Sequence, residues 1–178
     1  MTRRDPGAGG AGLPERVVVD PRGRSKVYRP LPRDLREAAI ARGLAAYERG
    51  EFYLAHEELE PAWMGTDDAA DRELLGGLIK LAAAFVHAVR GNPAGVATNL
   101  RGARERLGTA SAAGADRGID LPALLGALDD RLARIETMTD APTQSVPDPP
   151  HDVAGPPGRA RRPPLDLAPP TLVRRTPA

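Results

Sequence analysis

Between residues 31 and 139 the apolar side chains recur at helical spacing, in five runs separated by glycine and proline, and this rhythm favours a bundle of helices. Pro32 suits a first helical turn, where its missing N–H would have no intrahelical partner. A helix is predicted over 33–49, with Leu35, Ala39, Ile40, Leu44 and Tyr47 on one side and Gly50 as its stop. A second is predicted over 51–64, with Phe52, His56, Leu59 and Trp63 inside about a 60° arc. Pro61 cannot donate to the Glu57 carbonyl, so that helix should kink or restart there. A third, over 68–90, carries Leu74, Leu78, Leu81, Phe85 and Val89 on one face and Gly76, Gly77, Ala83 and Ala84 on the other. Both faces suit close packing, which places this helix at the centre. Gly91-Asn92-Pro93 reads as a stop, a cap and a first-turn proline. The fourth helix it opens has Val96, Leu100, Ala103 and Leu107 in a stripe, ahead of a loop over 108–118. Asp120 and Pro122 begin a fifth, over 121–138, striped by Leu121, Leu125, Leu128, Leu132 and Ile135. Short connections at Gly50 and Gly91-Asn92 require antiparallel neighbours. The expected fold is all-α: a compact antiparallel bundle of four to five helices over 31–139.

The flanks read differently. Residues 1–30 form an irregular N-terminal arm in which Val17-Val18-Val19 could add one short strand. Eleven of the 19 prolines fall in 142–178, and no apolar stripe survives there to offset the entropy of ordering. The stretch 140–178 is therefore expected to be a disordered, Pro/Arg-rich tail.

Composition narrows the chemistry. The 25 basic and 24 acidic residues nearly cancel, so no global field draws the chain to nucleic acid. Arg159-Ala160-Arg161-Arg162 and Arg174-Arg175 lack interleaved aromatics, and nucleic acid is not an expected partner. With no cysteine, thiol nucleophiles, disulfides and Cys-ligated metals are excluded. The longest apolar stretch, Leu81–Val89, is too short to span a bilayer, and no apolar segment follows Arg3 and Arg4 as a secretory signal requires. A cytoplasmic protein without membrane contact is the expectation.

One polar constellation stands out. His56 and Glu60 are an i, i+4 pair, so their side chains can meet. His87 lies on the small-residue side of the third helix. If the second helix packs there, two imidazoles and a carboxylate converge, with Glu57 as a further carboxylate. Such a set can ligate a divalent metal or act as acid and base. It can equally be a buried polar network in which each group satisfies the other. The sequence H-E-x-x-E lacks the second histidine of the H-E-x-x-H proteases, which argues against that chemistry.

The segment Phe52-Tyr53-Leu54-Ala55-His56-Glu57-Glu58-Leu59-Glu60-Pro61-Ala62-Trp63 resembles the F-x-x-x-H-E-x-L-E-x-x-W signature of the domain-of-unknown-function family DUF 309. Gly77-Leu78-Ile79-Lys80-Leu81-Ala82-Ala83-Ala84-Phe85-Val86-His87 is similar to that family's G-L-I-Q-L-A-A-A-x-x-H helix, and Gly91-Asn92-Pro93-Ala94-Gly95 to the G-N-x-x-G that follows. The resemblance implies a small helical bundle and carries no established activity. It directs attention to His56, Glu57, Glu60, Trp63, His87, Asn92 and Gly95. Lys80 stands where the family usually has glutamine, which puts a cation near the histidines and weakens a metal reading.

The favoured reading is a non-enzymatic interaction or scaffold module with a buried His/Glu cluster and no cofactor. Its partner would be another protein, a small ligand or a second copy of the chain. The competing reading is a metal-dependent or acid–base enzyme, hydrolase-like, built on His56, Glu60 and His87, with Trp63, Lys80, Asn92 and Gly95 lining the site.

Overall fold

The computed structural model describes residues 16–19, 25–28, 30–140 and 164–174. Five helices account for most of them: α1 (Arg33–Glu48), α2 (Phe52–Met64), α3 (Ala69–Val89), α4 (Pro93–Ala112) and α5 (Leu121–Asp140). The punctuation residues act as their chemistry dictates. Gly50 and Gly91 take positive φ at helix ends, and the Asp68 and Asn92 side chains cap α3 and α4 by accepting from Asp71 N–H and Gly95 N–H. Pro61 does not divide α2, which runs through it as one helix.

Each helix packs on the next in the chain. The contacts show the antiparallel sense directly. Along the α3–α4 seam Gly77 meets Leu107, Lys80 lies over Gly102 and His87 lies on Gly95, so one helix ascends as the other descends. Between α2 and α3, Trp63 faces Gly76 while Phe52 and Phe85 stack with ring centroids 5.3 Å apart. Arg104–Asp129 and Arg101–Glu136 ion pairs join α4 to α5 in the same sense. As the two shielded faces of its sequence suggest, α3 is central. Leu74, Leu75, Gly76, Gly77 and Leu78 are buried in succession, around its whole circumference.

Three differences from the sequence reading have physical causes. The helix α4 continues past Gly108 to Ala112. The alanine-rich residues beyond the glycine are good helix formers, and buried Ala110 adds packing. Within the arm expected to be irregular, β1 (Arg16–Val19) pairs antiparallel with β2 (Ser25–Tyr28), Val18 opposite Lys26. The β-branched run finds a partner strand in the same arm. The rest of that arm, and residues 141–163 of the tail, lie outside the described residues.

The third difference is the largest. Within the stretch expected to be a disordered tail, residues 164–174 pack as an extended strap across the bundle. Leu167 and Leu172 are buried in the core and Leu165 packs against it. Leu165 N–H donates to the Ala88 carbonyl at the end of α3 (2.9 Å), and Asp120 N–H donates to the Val173 carbonyl (2.9 Å). Arg174 forms an antiparallel bridge with Ile119. Three side chains of the bundle also donate to strap carbonyls: Tyr47 Oη to Pro170 (3.1 Å), Arg131 to Ala168 and Arg134 to Asp166. The strap needs no periodic stripe because its scaffold is supplied by the helices. The receiving loop is itself pinned: Arg117, in the left-handed region at φ 47°, donates to both Asp71 and Glu37.

Two measurements check this architecture. A Cβ at Gly77 would lie 2.6 Å from Leu107 Cγ and 3.2 Å from its backbone nitrogen, whereas one at Gly126 meets nothing within 4 Å. Gly77→Ala should therefore cost about 1–3 kcal/mol by urea denaturation, and Gly126→Ala should add up to about 1 kcal/mol. Burial pushes the Tyr47 phenol well above its usual range, with the Arg131 charge partly opposing. Below about pH 10 both states keep the proton; above it the unfolded chain ionises first, so stability falls by up to about 1.4 kcal/mol per pH unit. Tyr47→Phe should flatten that alkaline slope while losing roughly 1 kcal/mol near neutrality with the Pro170 hydrogen bond.

Candidate functional site

The helix α2 buries Ala55, Leu59 and Ala62, so its inward face is centred one position away from the Phe52/His56/Leu59/Trp63 arc. Small alanines permit the close α1–α2 and α2–α3 contacts that the larger side chains would block. His56 is consequently left at the edge of the packed face, half-exposed, and Glu57 is exposed. This corrects the expectation of a buried cluster. His56, Glu57 and Glu60 do gather: their ligand-capable atoms all lie within 4.8 Å of one another. His56 Nδ1 stands 3.3 Å from Glu57 Oε1. A carboxylate there accepts, so the His56 proton sits on Nδ1 and Nε2 is left as the acceptor.

His87 is outside that trio but shares a groove with it. A cleft of about 160 Å³ between α2 and α3 is lined by Tyr53, His56, Ala83, Val86, His87 and Arg90. The two histidines thus line a common space, although His87 does not join the convergent trio. What the sequence reading did not reveal is how His87 is held. Its ring lies on Gly95 of α4, where a Cβ would come within 2.5 Å of Nδ1, so only glycine leaves room. Asn92 Nδ2 lies 3.1 Å from the same Nδ1. Because Asn92 Oδ1 already accepts from Gly95 N–H (3.0 Å), its amide orientation is fixed and Nδ2 must donate to His87. The ring proton of His87 then resides on Nε2, on the opposite edge from Asn92. One imidazole lining the cleft therefore offers an acceptor nitrogen and the other a donor.

The remaining predicted residues serve the frame. Trp63 is half-buried against Gly76, with the Arg72 guanidinium 5.9 Å from its ring centroid. Lys80 lies along Gly102 on α4 and is not among the residues lining the cleft. Sequence reasoning missed Tyr53, Val86 and Arg90, which line the cleft beside the histidines. Their only signal is position: 53 is one turn before His56, and 86 and 90 flank His87.

The cleft continues into a larger groove of about 460 Å³, lined by Gly50, Glu51, Phe52, Tyr53, Leu54, Val86, Val89 and Arg90. Tyr53, Leu54 and Val89 are exposed to 63%, 43% and 59% in its walls. The walls are mostly hydrocarbon, with Arg90 common to both parts.

These elements define a small helical domain with a surface groove along α2 and α3. The family model described as "Domain of unknown function (DUF309)" matches residues 40–99, from within α1 through α2 and α3 into α4. Over this segment, which contains the trio, His87, Asn92 and Gly95, the chain is similar to the DUF309 family. No curated protein and no solved structure matches the chain.

The histidine arrangement has a spectroscopic consequence. Nitrogen-15 spectra of the imidazoles should show His87 protonated on Nε2 and His56 on Nδ1 in their uncharged forms. Asn92→Ala should weaken the His87 preference and cost about 1 kcal/mol of stability through the lost cap. A His87 protonated on Nδ1 in the wild-type chain would contradict the Asn92 geometry.

Proposed function

We propose that this chain is a non-catalytic interaction module that receives an apolar, acid-bearing segment of a partner protein in the α2–α3 groove. The observation that carries this reading is the exposure of Tyr53, Leu54 and Val89 together in one groove wall. Isolated exposed hydrophobics are ordinary, but several gathered in a concave surface favour burial by a partner. Aromatic and aliphatic anchors of this kind supply most of the binding energy in protein interfaces. Arg90 at the junction of groove and cleft favours a carboxylate on the incoming segment, and His87 Nε2–H adds a donor beside it.

Because Leu54 and Val89 are exposed, charging them should leave the fold intact. Leu54→Glu and Val89→Glu should each keep the melting temperature within a few degrees and lose at least about tenfold in partner retention, since losing one apolar anchor is worth ~1.4 kcal/mol or more. Met138→Glu, at an exposed position on α5, serves as the control. Equal retention by all three variants would overturn the proposal, as would failure of the wild-type chain to retain any partner.

A second reading rests on the trio His56, Glu57 and Glu60. One imidazole nitrogen and two carboxylates within 4.8 Å suit a divalent cation such as zinc or manganese, with open positions for solvent or substrate. Calorimetric titration of the full chain with each metal should then give one site that His56→Ala abolishes and Glu60→Gln weakens. Heat that persists unchanged in His56→Ala would remove this reading.

A further inference from the structure

The strap over residues 164–174 is held in the manner of a bound peptide. Side chains of the bundle recognise its main chain: Tyr47, Arg131 and Arg134 donate to three of its carbonyls, and Asp120 N–H donates to a fourth. Its own first donor, Leu165 N–H, finishes the Ala88 carbonyl at the end of α3. Specificity is left to apolar anchors, with Leu165, Leu167, Pro170 and Leu172 turned toward the bundle and Asp166, Ala168 and Thr171 exposed between them. Backbone hydrogen bonds for affinity and spaced pockets for side chains are the recurring physics of extended-peptide recognition. Residues 141–163 join the strap to α5, so the ligand is tethered and its docking is an intramolecular event.

We infer that the cradle formed by the end of α3, Tyr47 of α1, the Ile119–Asp120 turn and the Arg131/Arg134 face of α5 is an exchangeable peptide site. Residues 164–174 are its built-in competitor. The occupant it is shaped for is an extended segment of a partner protein with the same spacing, leucine at the first, third and eighth positions and proline at the sixth. This surface is separate from the α2–α3 groove, and its test does not depend on that proposal.

The test keeps the chain whole during folding. A specific protease site is placed between 141 and 163, and the folded protein is cut so that the strap is retained without its tether. A fluorescent peptide of sequence 164–174 is then added, alongside a second peptide that keeps the four anchors and replaces the exposed residues. Both should bind the cut protein saturably and displace the original fragment, with helical circular dichroism unchanged. The uncut protein should bind them at least about tenfold more weakly, because the tethered strap competes at high effective concentration. A peptide carrying Leu167→Asp and Leu172→Asp should not bind. The inference is overturned if the cut fragment cannot be exchanged, or if the bundle unfolds when it leaves, since the strap is then a permanent part of the core. It is also overturned if the doubly charged peptide competes equally, or if exchange occurs only between copies of the chain, seen as a dimer by light scattering.

Discussion

The seating of Leu107 against Gly77 sets how closely α4 approaches α3, and most of the molecule follows from it. A side chain at Gly77 would hold the two helices apart. At the observed approach, Gly95 reaches the His87 ring and Gly102 reaches the Lys80 stem, so one seam fixes both a structural lysine and a groove-lining imidazole. Glycine inside a helix costs about 1 kcal/mol of propensity relative to alanine. Close packing over the buried length of α3 offsets that cost, with fully buried Leu74, Leu75, Leu81 and Phe85 each contributing about 1.5–3 kcal/mol.

Much of this fold is legible in the residues. Helix starts at Pro32, Asp68, Asn92 and Asp120 are visible because caps and first-turn prolines act locally, before any tertiary contact forms. The central place of α3 is visible because both of its faces suit packing. The burial of the polar cluster was misjudged for an equally physical reason. Periodicity gives an apolar arc but not its centre, and on α2 two alanines, Ala55 and Ala62, with weak hydrophobicity but small volume, decide with Leu59 which side packs. His56 and His87 line one groove, while the bond from Asn92 to His87 is not legible in the sequence. It depends on where the turn at Gly91 aims the cap side chain.

The strap shows a different limit. Its leucines and prolines carry neither the helical nor the strand period, and on composition alone the segment has nothing to bury itself against. Order comes instead from groups elsewhere in the chain: a tyrosine on α1, two arginines on α5 and a loop fixed by Arg117 between Asp71 and Glu37. Patterns within a segment report what it can do for itself. They are silent about what a preformed surface can do for it.

Asn92 joins two tasks that are usually separate. The same amide satisfies an orphan N–H at the start of α4 and dictates which edge of His87 carries hydrogen. Helix ends fray readily, at small free-energy cost compared with global unfolding. An excursion that unwinds only the first turn of α4 therefore releases the constraint on which edge of His87 carries hydrogen, without requiring α2 or α3 to move.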